Sequence, residues 1–258
     1  LFDVPTNGTQ SDTGAGGEVS GSYATLNPLV PRTNTTYSNG NLQLASGGNY
    51  RSGVATIGIN GGKFYFEGEI LTDPDNGFSM IGITTLPNYF NYPGSNGDDD
   101  GFGWYSGTGQ LYFNDALGAT YSSWTVGDIV SVAYDSATRR TWIAKNGTWQ
   151  NSGDPAAGTG YVHTSSGTLP VFFSIATGTN GVVSANFGQR AFAYTAPSGF
   201  KALCTTNLPT PTIADGSDNF ETLTWTGDGT GSRSFTGLSF QPDFTWVKIR
   251  TQAYTHTL

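Results

Sequence analysis

The stretch from Asp128 to Gly147 constrains the fold of this chain more than any other. Between Ile129 and Asp135, every second residue falls on an apolar face, a period-two pattern that predicts a β-strand. Residues 135–138 have the Asx-type composition of a turn, and residues 141–145 predict a strand that pairs back on the first. Asn146-Gly147 is typical of a type I′ turn, because both central positions of that turn need a positive φ. The stretch therefore predicts a β-hairpin and the start of a second one.

Composition and charge exclude several classes of function. The chain carries a net charge of −8 and has a pI near 4.5, which argues against a nucleic-acid groove and against docking on an anionic membrane. It has no apolar run long enough for a transmembrane helix, so no membrane insertion is expected. Its single cysteine, Cys204, excludes an internal disulfide and a cysteine-based zinc site. No cofactor is expected.

Six stretches resemble, in order, the strand motifs of the SPRY family. They occupy residues 62–71, 78–84, 101–106, 127–147, 169–175 and 182–188. The first reads Gly-Lys-Phe-Tyr-Phe-Glu-Gly-Glu-Ile-Leu, and the last reads Val-Val-Ser-Ala-Asn-Phe-Gly. Each motif is short, and the resemblance depends on all six appearing in the family's order.

The resemblance implies an all-β fold, an antiparallel β-sandwich of the SPRY or concanavalin A-like jelly-roll type. Glycine, threonine, serine, asparagine and aromatic residues are abundant, and this composition independently favours strands and turns. The aromatic side chains expected to close the core are Phe64, Phe66, Trp142, Phe172 and Phe187.

We predict four segments along the chain. Residues 1–22 are an extended N-terminal arm or linker, and residues 23–203 form the SPRY-like sandwich. Residues 204–215 are a proline- and threonine-containing linker. Residues 216–258 are the beginning of a second β module that is truncated at the end of this sequence.

Two further stretches, residues 186–211 and 237–250, resemble parts of SPRY-containing structural proteins of tailed bacteriophages. That resemblance implies a non-enzymatic viral structural protein of a tail fibre or capsid surface. It would be assembled in the host cytoplasm, displayed on the virion surface and expected to be a homo-oligomer. Its SPRY-like module would mediate host attachment by binding a host-surface glycan, or would bind a neighbouring virion protein.

Three alternatives to this function remain open at the level of sequence. The first is a purely architectural capsid decoration or fibre spacer without a ligand. The second is a polysaccharide-degrading enzyme of concanavalin A-like fold whose cleft is lined by Glu67 and Glu69, which lie two apart on one strand face, or by Asp98 to Asp100. The third, less favoured by the glycine- and threonine-rich composition, is a cellular SPRY adaptor that binds peptides.

A polar and aromatic loop over residues 86–100, with the strand after it, is the candidate ligand-binding region. Aromatic faces stack on sugars or apolar side chains, while asparagine and aspartate fix hydroxyl groups. SPRY domains bind ligands with loops at one edge of the sandwich, so the resemblance points to the same region. The alternative is that these rings only pack the loop onto the domain. The candidate ligand-binding residues are Asn88, Tyr89, Tyr92, Asp98, Asp99, Asp100, Trp104 and Tyr105.

No catalytic or metal-binding residues are predicted with these candidates. Three adjacent aspartates, Asp98, Asp99 and Asp100, suggest a calcium site, but calcium loops place their ligands on alternate residues, and a solvated loop is the favoured interpretation. Ser131, Asp135 and the distant His163 do not form a recognisable catalytic triad.

Overall fold

The computed structural model describes residues 12–30, 33–75, 77–86, 91–98, 100–167, 170–210, 213 and 215–253. The chain divides into two compact units, residues 1–209 and residues 210–258. Among the described residues, no helix is long and apolar enough to span a membrane.

The first unit is a sandwich of two β-sheets whose strands pair antiparallel, apart from one short parallel strand. The first sheet has the order β1-β2-β14-β4-β9-β10-β11, with β12 beside β10 and β15 beside β4. Its strands are β1 Thr35–Ser38, β2 Gln43–Ser46, β4 Lys63–Thr72, β9 Ile129–Asp135, β10 Arg140–Lys145, β11 Thr148–Trp149, β12 His163–Thr164, β14 Val182–Asn186 and β15 Lys201–Ala202.

The second sheet has the order β3-β13-β5-β6-β7-β8. Its strands are β3 Arg51–Val54, β5 Ser79–Thr84, β6 Phe102–Tyr105, β7 Gln110–Phe113, β8 Ala116–Thr120 and β13 Phe172–Thr177. The described residues include only short 3₁₀ turns besides these strands, at Gln150–Ser152, Thr205–Asn207 and Gly216–Asp218. The predicted antiparallel all-β sandwich is confirmed.

The main core lies between the two sheets and follows the period-two alternation of their strands. Phe66 of β4 stacks on Phe173 of β13 at 4.3 Å between ring centroids and on Phe187 at 5.5 Å. Phe64 also points into this core, as predicted. Burial of each such ring contributes on the order of 2–3 kcal/mol. The prediction for Phe172 is wrong, because the strand's alternation turns Phe173 inward and leaves Phe172 only partly buried on the outer side.

A second, smaller core covers the outer face of the first sheet. Tyr65, Ala133 and Trp142 point outward from β4, β9 and β10 and are covered by the N-terminal arm and by residues 192–204. Trp142 is therefore buried, as expected, but in this outer cluster rather than between the sheets. Its indole Nε1 donates to the Thr159 carbonyl at 2.6 Å.

The described part of the N-terminal arm packs on the domain and is not a free linker. Val19 is fully buried in the outer core, and Gly16 forms a β-bridge with Ala191. Asp12 accepts hydrogen bonds from the Ala202 amide at 2.9 Å and the Asn207 side chain at 2.7 Å. The low-complexity composition that predicted a linker thus belongs to a segment held by a few specific contacts.

The predicted hairpin between β9 and β10 is confirmed. Asp135 Oδ1 accepts a hydrogen bond from the Ala137 amide at 3.0 Å, which is the Asx turn that the sequence predicted. Asn146 and Gly147 have φ values of 47° and 76°, and they connect Lys145 to its pairing partner Thr148. Both central residues therefore have the positive φ that a type I′ turn requires.

The second unit has no β-strand among its described residues. The second β module for residues 216–258 stays a prediction. Trp225 and Phe235 contact each other at 4.5 Å between ring centroids, while Phe220 and Phe244 are exposed.

Candidate binding surface

Five aromatic side chains form one contiguous group on the outer face of the second sheet, which we call the tyrosine surface. The strand alternation places them there, because Phe102 and Trp104 of β6 point into the core while Tyr105 points outward. Met80 and Ala176 lie in the same cluster as the rings. The members of the tyrosine surface are Tyr50, Phe78, Tyr92, Tyr105 and Tyr112.

The rings of the tyrosine surface touch one another in a connected chain. Tyr50 meets Phe78 at 4.5 Å and Tyr92 at 5.6 Å between ring centroids. Phe78 lies 5.4 Å from Tyr105, and Tyr112 lies 6.2 Å from both Tyr92 and Tyr105. Most of these pairs meet edge to face, a favourable arrangement for aromatic quadrupoles.

Exposure differs across the tyrosine surface. Tyr50 is 42% exposed, whereas Phe78 is only 8% exposed. Tyr92, Tyr105 and Tyr112 are half-buried. Phe78 therefore lies beneath the tyrosines, whose outer parts remain available to a partner.

Tyr50 has an unusual backbone conformation. Its φ of 57° lies in the left-handed region, which is uncommon for a bulky residue and costs of order 1 kcal/mol. The conformation directs the ring onto Phe78 and Tyr92.

Gly103 of β6 and Gly94 of the loop that carries Tyr92 allow this loop to lie against the outer face of the second sheet. A Cβ on Gly103 would be 2.2 Å from the Pro93 carbonyl oxygen, and a Cβ on Gly94 would be 2.2 Å from the Tyr112 carbonyl oxygen. Only glycine permits such close approaches of two backbones. The Tyr92 hydroxyl donates to Asp115 Oδ1 at 2.8 Å, which fixes its ring.

Asp98 anchors this loop from within the protein and is fully buried. Its carboxylate accepts hydrogen bonds from the amides of Thr85 at 3.2 Å and Gly94 at 3.1 Å. Burial raises the pKa of the Asp98 carboxyl, and the hydrogen bonds from Gly94 and Thr85 oppose that rise. The prediction of Asp98 as a ligand-binding residue is wrong, because its oxygens are inaccessible and hold the loop.

Asp100 points toward a different part of the chain from Asp98. Its Oδ1 accepts hydrogen bonds from the amide and the hydroxyl of Ser166, each at 2.8 Å. Its pKa is lowered, although desolvation alone would raise it, because these hydrogen bonds favour the charged form. The two carboxylates do not converge, and the described residues contain no group of three or more potential metal ligands.

His163 lies behind Asp100 and is enclosed by aromatic rings. It stacks on Phe113 at 4.9 Å between ring centroids and lies 5.3 Å from Phe102. Its Nε2 is 3.2 Å from the Asp100 carbonyl oxygen. The nearby Ser165 hydroxyl is itself buried and donates to the same carbonyl oxygen at 3.1 Å, so this pair shows a packing role rather than an exposed nucleophile.

We expect His163 to make the stability of the domain depend on pH. Burial lowers the pKa of His163 below its ordinary value of 6.5, so below pH 6.5 the unfolded chain binds more protons than the folded one. The free energy of unfolding therefore decreases as the pH falls from 6.5 through the lowered pKa of His163. For one proton this decrease is at most about 1.4 kcal/mol per pH unit.

The measurement is urea unfolding between pH 7 and pH 5 of the wild type and of His163→Phe. The variant should have a flatter profile in this window. The buried carboxyls with raised pKa values give the opposite slope, but both proteins retain them, so the difference between the profiles isolates His163. Identical profiles would contradict the expectation.

Trp104 is a correction to the sequence-based site. Its side chain is fully buried in the main core, 5.9 Å from the ring of Trp124. The ring cannot reach a ligand without unfolding of the sheet. Of the remaining candidates, Asn88, Tyr89 and Asp99 lie outside the described residues, while Tyr92 and Tyr105 belong to the tyrosine surface.

The sequence-based site omitted three members of the tyrosine surface, Tyr50, Phe78 and Tyr112. Strand pairing brings Tyr112 beside Gly103, and Tyr50 reaches the surface from the start of β3. Leu111 of the short strand β7 points into the core. Because side chains alternate along a strand, the next residue, Tyr112, could have been predicted to point outward.

A shallow cleft of about 260 Å³ adjoins the tyrosine surface. The cleft lies beside Phe78 and Tyr105. Gly77, the residue before Phe78, lines it, and so does Gly107. A Cβ added to Gly107 would lie 2.7 Å from the Tyr105 hydroxyl oxygen. The lining residues are Asp73, Gly77, Ser106, Gly107, Ser123, Trp124, Thr125 and Lys145.

Burial affects the tyrosine hydroxyls of this region. It raises the pKa of Tyr92, and the hydrogen bond to Asp115 adds to the rise. Burial also raises the pKa of Tyr105, with smaller contributions from Tyr112 and Tyr50. An ordinary tyrosine hydroxyl is already protonated at neutral pH and can donate a hydrogen bond, and that of Tyr92 donates to Asp115.

Glu67 and Glu69 do not line one cleft, as the hydrolase alternative requires. Glu67 is 4% exposed and accepts hydrogen bonds from the amides of Ala193 at 2.8 Å and Tyr194 at 2.9 Å. Burial raises the pKa of its carboxyl, and these hydrogen bonds oppose the rise. Glu69 instead lines a separate cleft of about 300 Å³ with Arg190.

Comparisons with known proteins divide the chain into two parts. A family model described as SPRY domain matches residues 63–190, and one described as a domain of unknown function, DUF7483, matches residues 215–258. The SPRY match runs from β4 through β14 and includes most of the tyrosine surface. No curated protein matches the sequence.

Solved structures similar to this chain include two human SPRY domains. The SPRY domain of human HERC1 is 19% identical, with a TM-score of 0.48 over 58% of this chain and 91% of that one. A second human SPRY domain is 17% identical, with a TM-score of 0.45 over 62% of this chain and 98% of that one. Stonustoxin is 16% identical, with a TM-score of 0.46 over 64% of this chain and 27% of that one.

Proposed function

We propose, from the match of residues 63–190 to the SPRY family model, that this chain is a non-catalytic protein–protein interaction module whose contact surface is the tyrosine surface. SPRY domains are in general interaction modules without catalytic activity. The observation that carries the proposal is the connected set of five aromatic rings on one outer sheet face, with Tyr50 at its exposed end.

The composition of the tyrosine surface suits recognition. Tyrosine supplies a large apolar face with little side-chain entropy to lose, and its hydroxyl adds hydrogen bonding. Such residues are enriched at the centres of protein interfaces. The unfavourable left-handed backbone of Tyr50 is the kind of local strain that clusters at binding sites.

Hydrogen bonds hold described parts of the surface in place in the free protein. Asp98 fixes the loop through two backbone amides, and Asp115 fixes the Tyr92 ring. A preorganised surface loses less conformational entropy on association. We therefore propose a role for the rings in binding as well as in packing of the loop.

The test is binding to a displayed library of random peptides. We expect the wild-type domain to enrich specific peptides, and the double variant Tyr50→Ala, Tyr105→Ala to bind them at least about tenfold more weakly, because truncation of aromatic anchors in an interface has effects of this size. The matched control is Tyr161→Ala, which removes another exposed tyrosine that contacts Trp142 and Arg140 instead.

Circular dichroism and thermal unfolding establish that all variants are folded. Retained affinity in the folded double variant would contradict the proposed surface, as would equal losses in the double variant and Tyr161→Ala. A saccharide panel is measured in parallel, since the loop composition also suits sugars. If the domain binds a saccharide but no peptide, the partner is a glycan rather than a protein.

We also propose that the domain operates on the surface of a phage virion, as part of an oligomeric tail-fibre or capsid protein. This setting rests on the sequence resemblance of residues 186–211 and 237–250. Immunogold electron microscopy of purified particles, with antibody raised against the domain, tests it. Labelling of the particle surface supports the setting, and unlabelled particles from cells that produce the protein contradict it.

A further inference from the structure

We propose that the tyrosine surface and the adjoining cleft form one continuous site for an extended protein segment that bears an arginine or lysine, with the basic group placed at Asp73. This inference rests on the proposed function and specifies the chemistry of the partner.

The tyrosine surface and the cleft are continuous. Gly77 lines the cleft and is followed directly by Phe78 of the tyrosine surface. Tyr105 bridges them from the other side, because its hydroxyl lies against Gly107, another residue of the cleft. A segment that crosses the rings therefore reaches the cleft without a gap.

The cleft is lined by one cation and one carboxylate, Lys145 and Asp73. Lys145 lines it, but its ammonium already pairs with Asp128 at 2.9 Å and donates to the Ser123 carbonyl at 2.8 Å. Asp73 is exposed, and within the described part of the chain it makes no ion pair. The cleft thus presents one satisfied cation and one carboxylate that is open to a partner.

Charged residues also lie around the rings of the tyrosine surface. Asp115 lies at the Tyr92 end of the tyrosine surface. Arg51 follows Tyr50 and keeps its positive charge, since its guanidinium donates only to the neutral carbonyls of Thr33 and Asn49. It offsets Asp115 near the rings, so the attraction for a basic partner comes from Asp73 and from the net charge of the chain. The whole chain carries a net charge of −8. This field attracts a basic partner and repels an acidic one.

The shape and chemistry of the tyrosine surface suit an extended segment with a basic side chain. The rings lie on the outer face of a sheet beside an open cleft rather than in an enclosed cavity, which suits an extended segment more than a small ligand. Tyrosine hydroxyls donate to the carbonyls that an extended backbone leaves unpaired. Arginine stacks on aromatic faces, and this chain has such a pair, with the Arg140 guanidinium 4.4 Å from the Tyr161 ring centroid.

The experiment sequences the peptides that the wild-type domain enriches from the random library and measures their affinities for two variants. We expect arginine or lysine in the enriched peptides. Asp73→Asn should weaken their binding by about fivefold, the effect of an exposed ion pair at the upper end of its range. The matched control, Glu69→Gln, removes one negative charge from the opposite sheet and should leave the affinity unchanged.

A double-mutant cycle isolates the contact with Asp73. Replacement of the basic residue of the peptide by glutamine should weaken binding to the wild type and have little further effect on Asp73→Asn. Added salt should weaken the wild type more than Asp73→Asn.

Two outcomes would overturn the inference while leaving the proposed function intact. One is enrichment of neutral or acidic peptides that still depend on Tyr50 and Tyr105. The other is an additive cycle, in which the peptide's basic residue and Asp73 act independently. Peptides that bind the Tyr50→Ala, Tyr105→Ala variant normally would instead overturn the proposed function itself.

Discussion

Trp104→Ala is expected to lower the free energy of unfolding by about 3–5 kcal/mol, the usual cost of truncating a large buried aromatic residue. Trp104 is fully buried in the main core and contacts Trp124. The truncation would leave a cavity between the two sheets that neighbouring side chains fill only in part. Urea unfolding followed by circular dichroism measures the change.

Tyr105→Ala is the matched control for this substitution. Tyr105 is the next residue of the same strand but points to the outer face, where its ring is half-buried. Its truncation should cost less than about 2 kcal/mol, since much of the ring is already in contact with water. Equal destabilisation by the two substitutions would contradict the assignment of Trp104 to the core and Tyr105 to the tyrosine surface.

These neighbouring residues show where sequence reasoning on the site stopped. Composition singled out the loop and its aromatic residues, which include Tyr92 and Tyr105 of the tyrosine surface. The same reasoning grouped Trp104 with them, although the alternation of Phe102 and Trp104 with Gly103 and Tyr105 placed Trp104 on the inner face. The facing of a four-residue strand is decided by one residue of register, and composition does not contain that information.

The other members of the surface depended on pairing between distant strands. Tyr50, Phe78 and Tyr112 belong to three different parts of the chain and meet only when β3, β5, β6 and β7 assemble into one sheet. No local pattern reports such a meeting. The close approach of the loop over Gly94 and Gly103 is equally non-local, because a glycine in a strand shows only that some backbone comes near.

The fold was more predictable than the site because turns and alternation are local. Asn146-Gly147 alone specified the turn after β10, and the alternation of β4 placed Phe64 and Phe66 inward. The N-terminal arm had no such signal. Its glycine- and serine-rich sequence concealed Val19, one apolar side chain that anchors it in the outer core.

The outer core also supplies the second large prediction, which concerns Glu67. We expect Glu67→Gln to lower the free energy of unfolding by about 2–3 kcal/mol, the cost of leaving buried charge-assisted hydrogen bonds unmade. The carboxylate accepts from the amides of Ala193 and Tyr194 and from the Tyr65 hydroxyl at 3.0 Å. Glutamine has one acceptor oxygen, so its amide nitrogen would face at least one of these donors.

Glu69→Gln is the matched control, because Glu69 lies two residues along the same strand but lines an open cleft. Its effect should stay within about 0.5 kcal/mol, as for most exposed substitutions. Hydrogen exchange adds a local measurement: the amides of Ala193 and Tyr194 should exchange faster in Glu67→Gln and unchanged in Glu69→Gln. Equal stabilities and equal exchange in the two variants would show that Glu67 does not hold the 193–194 segment on the first sheet. The expected result ties the carboxylate to the folding of the outer core, in line with its exposure of only 4%.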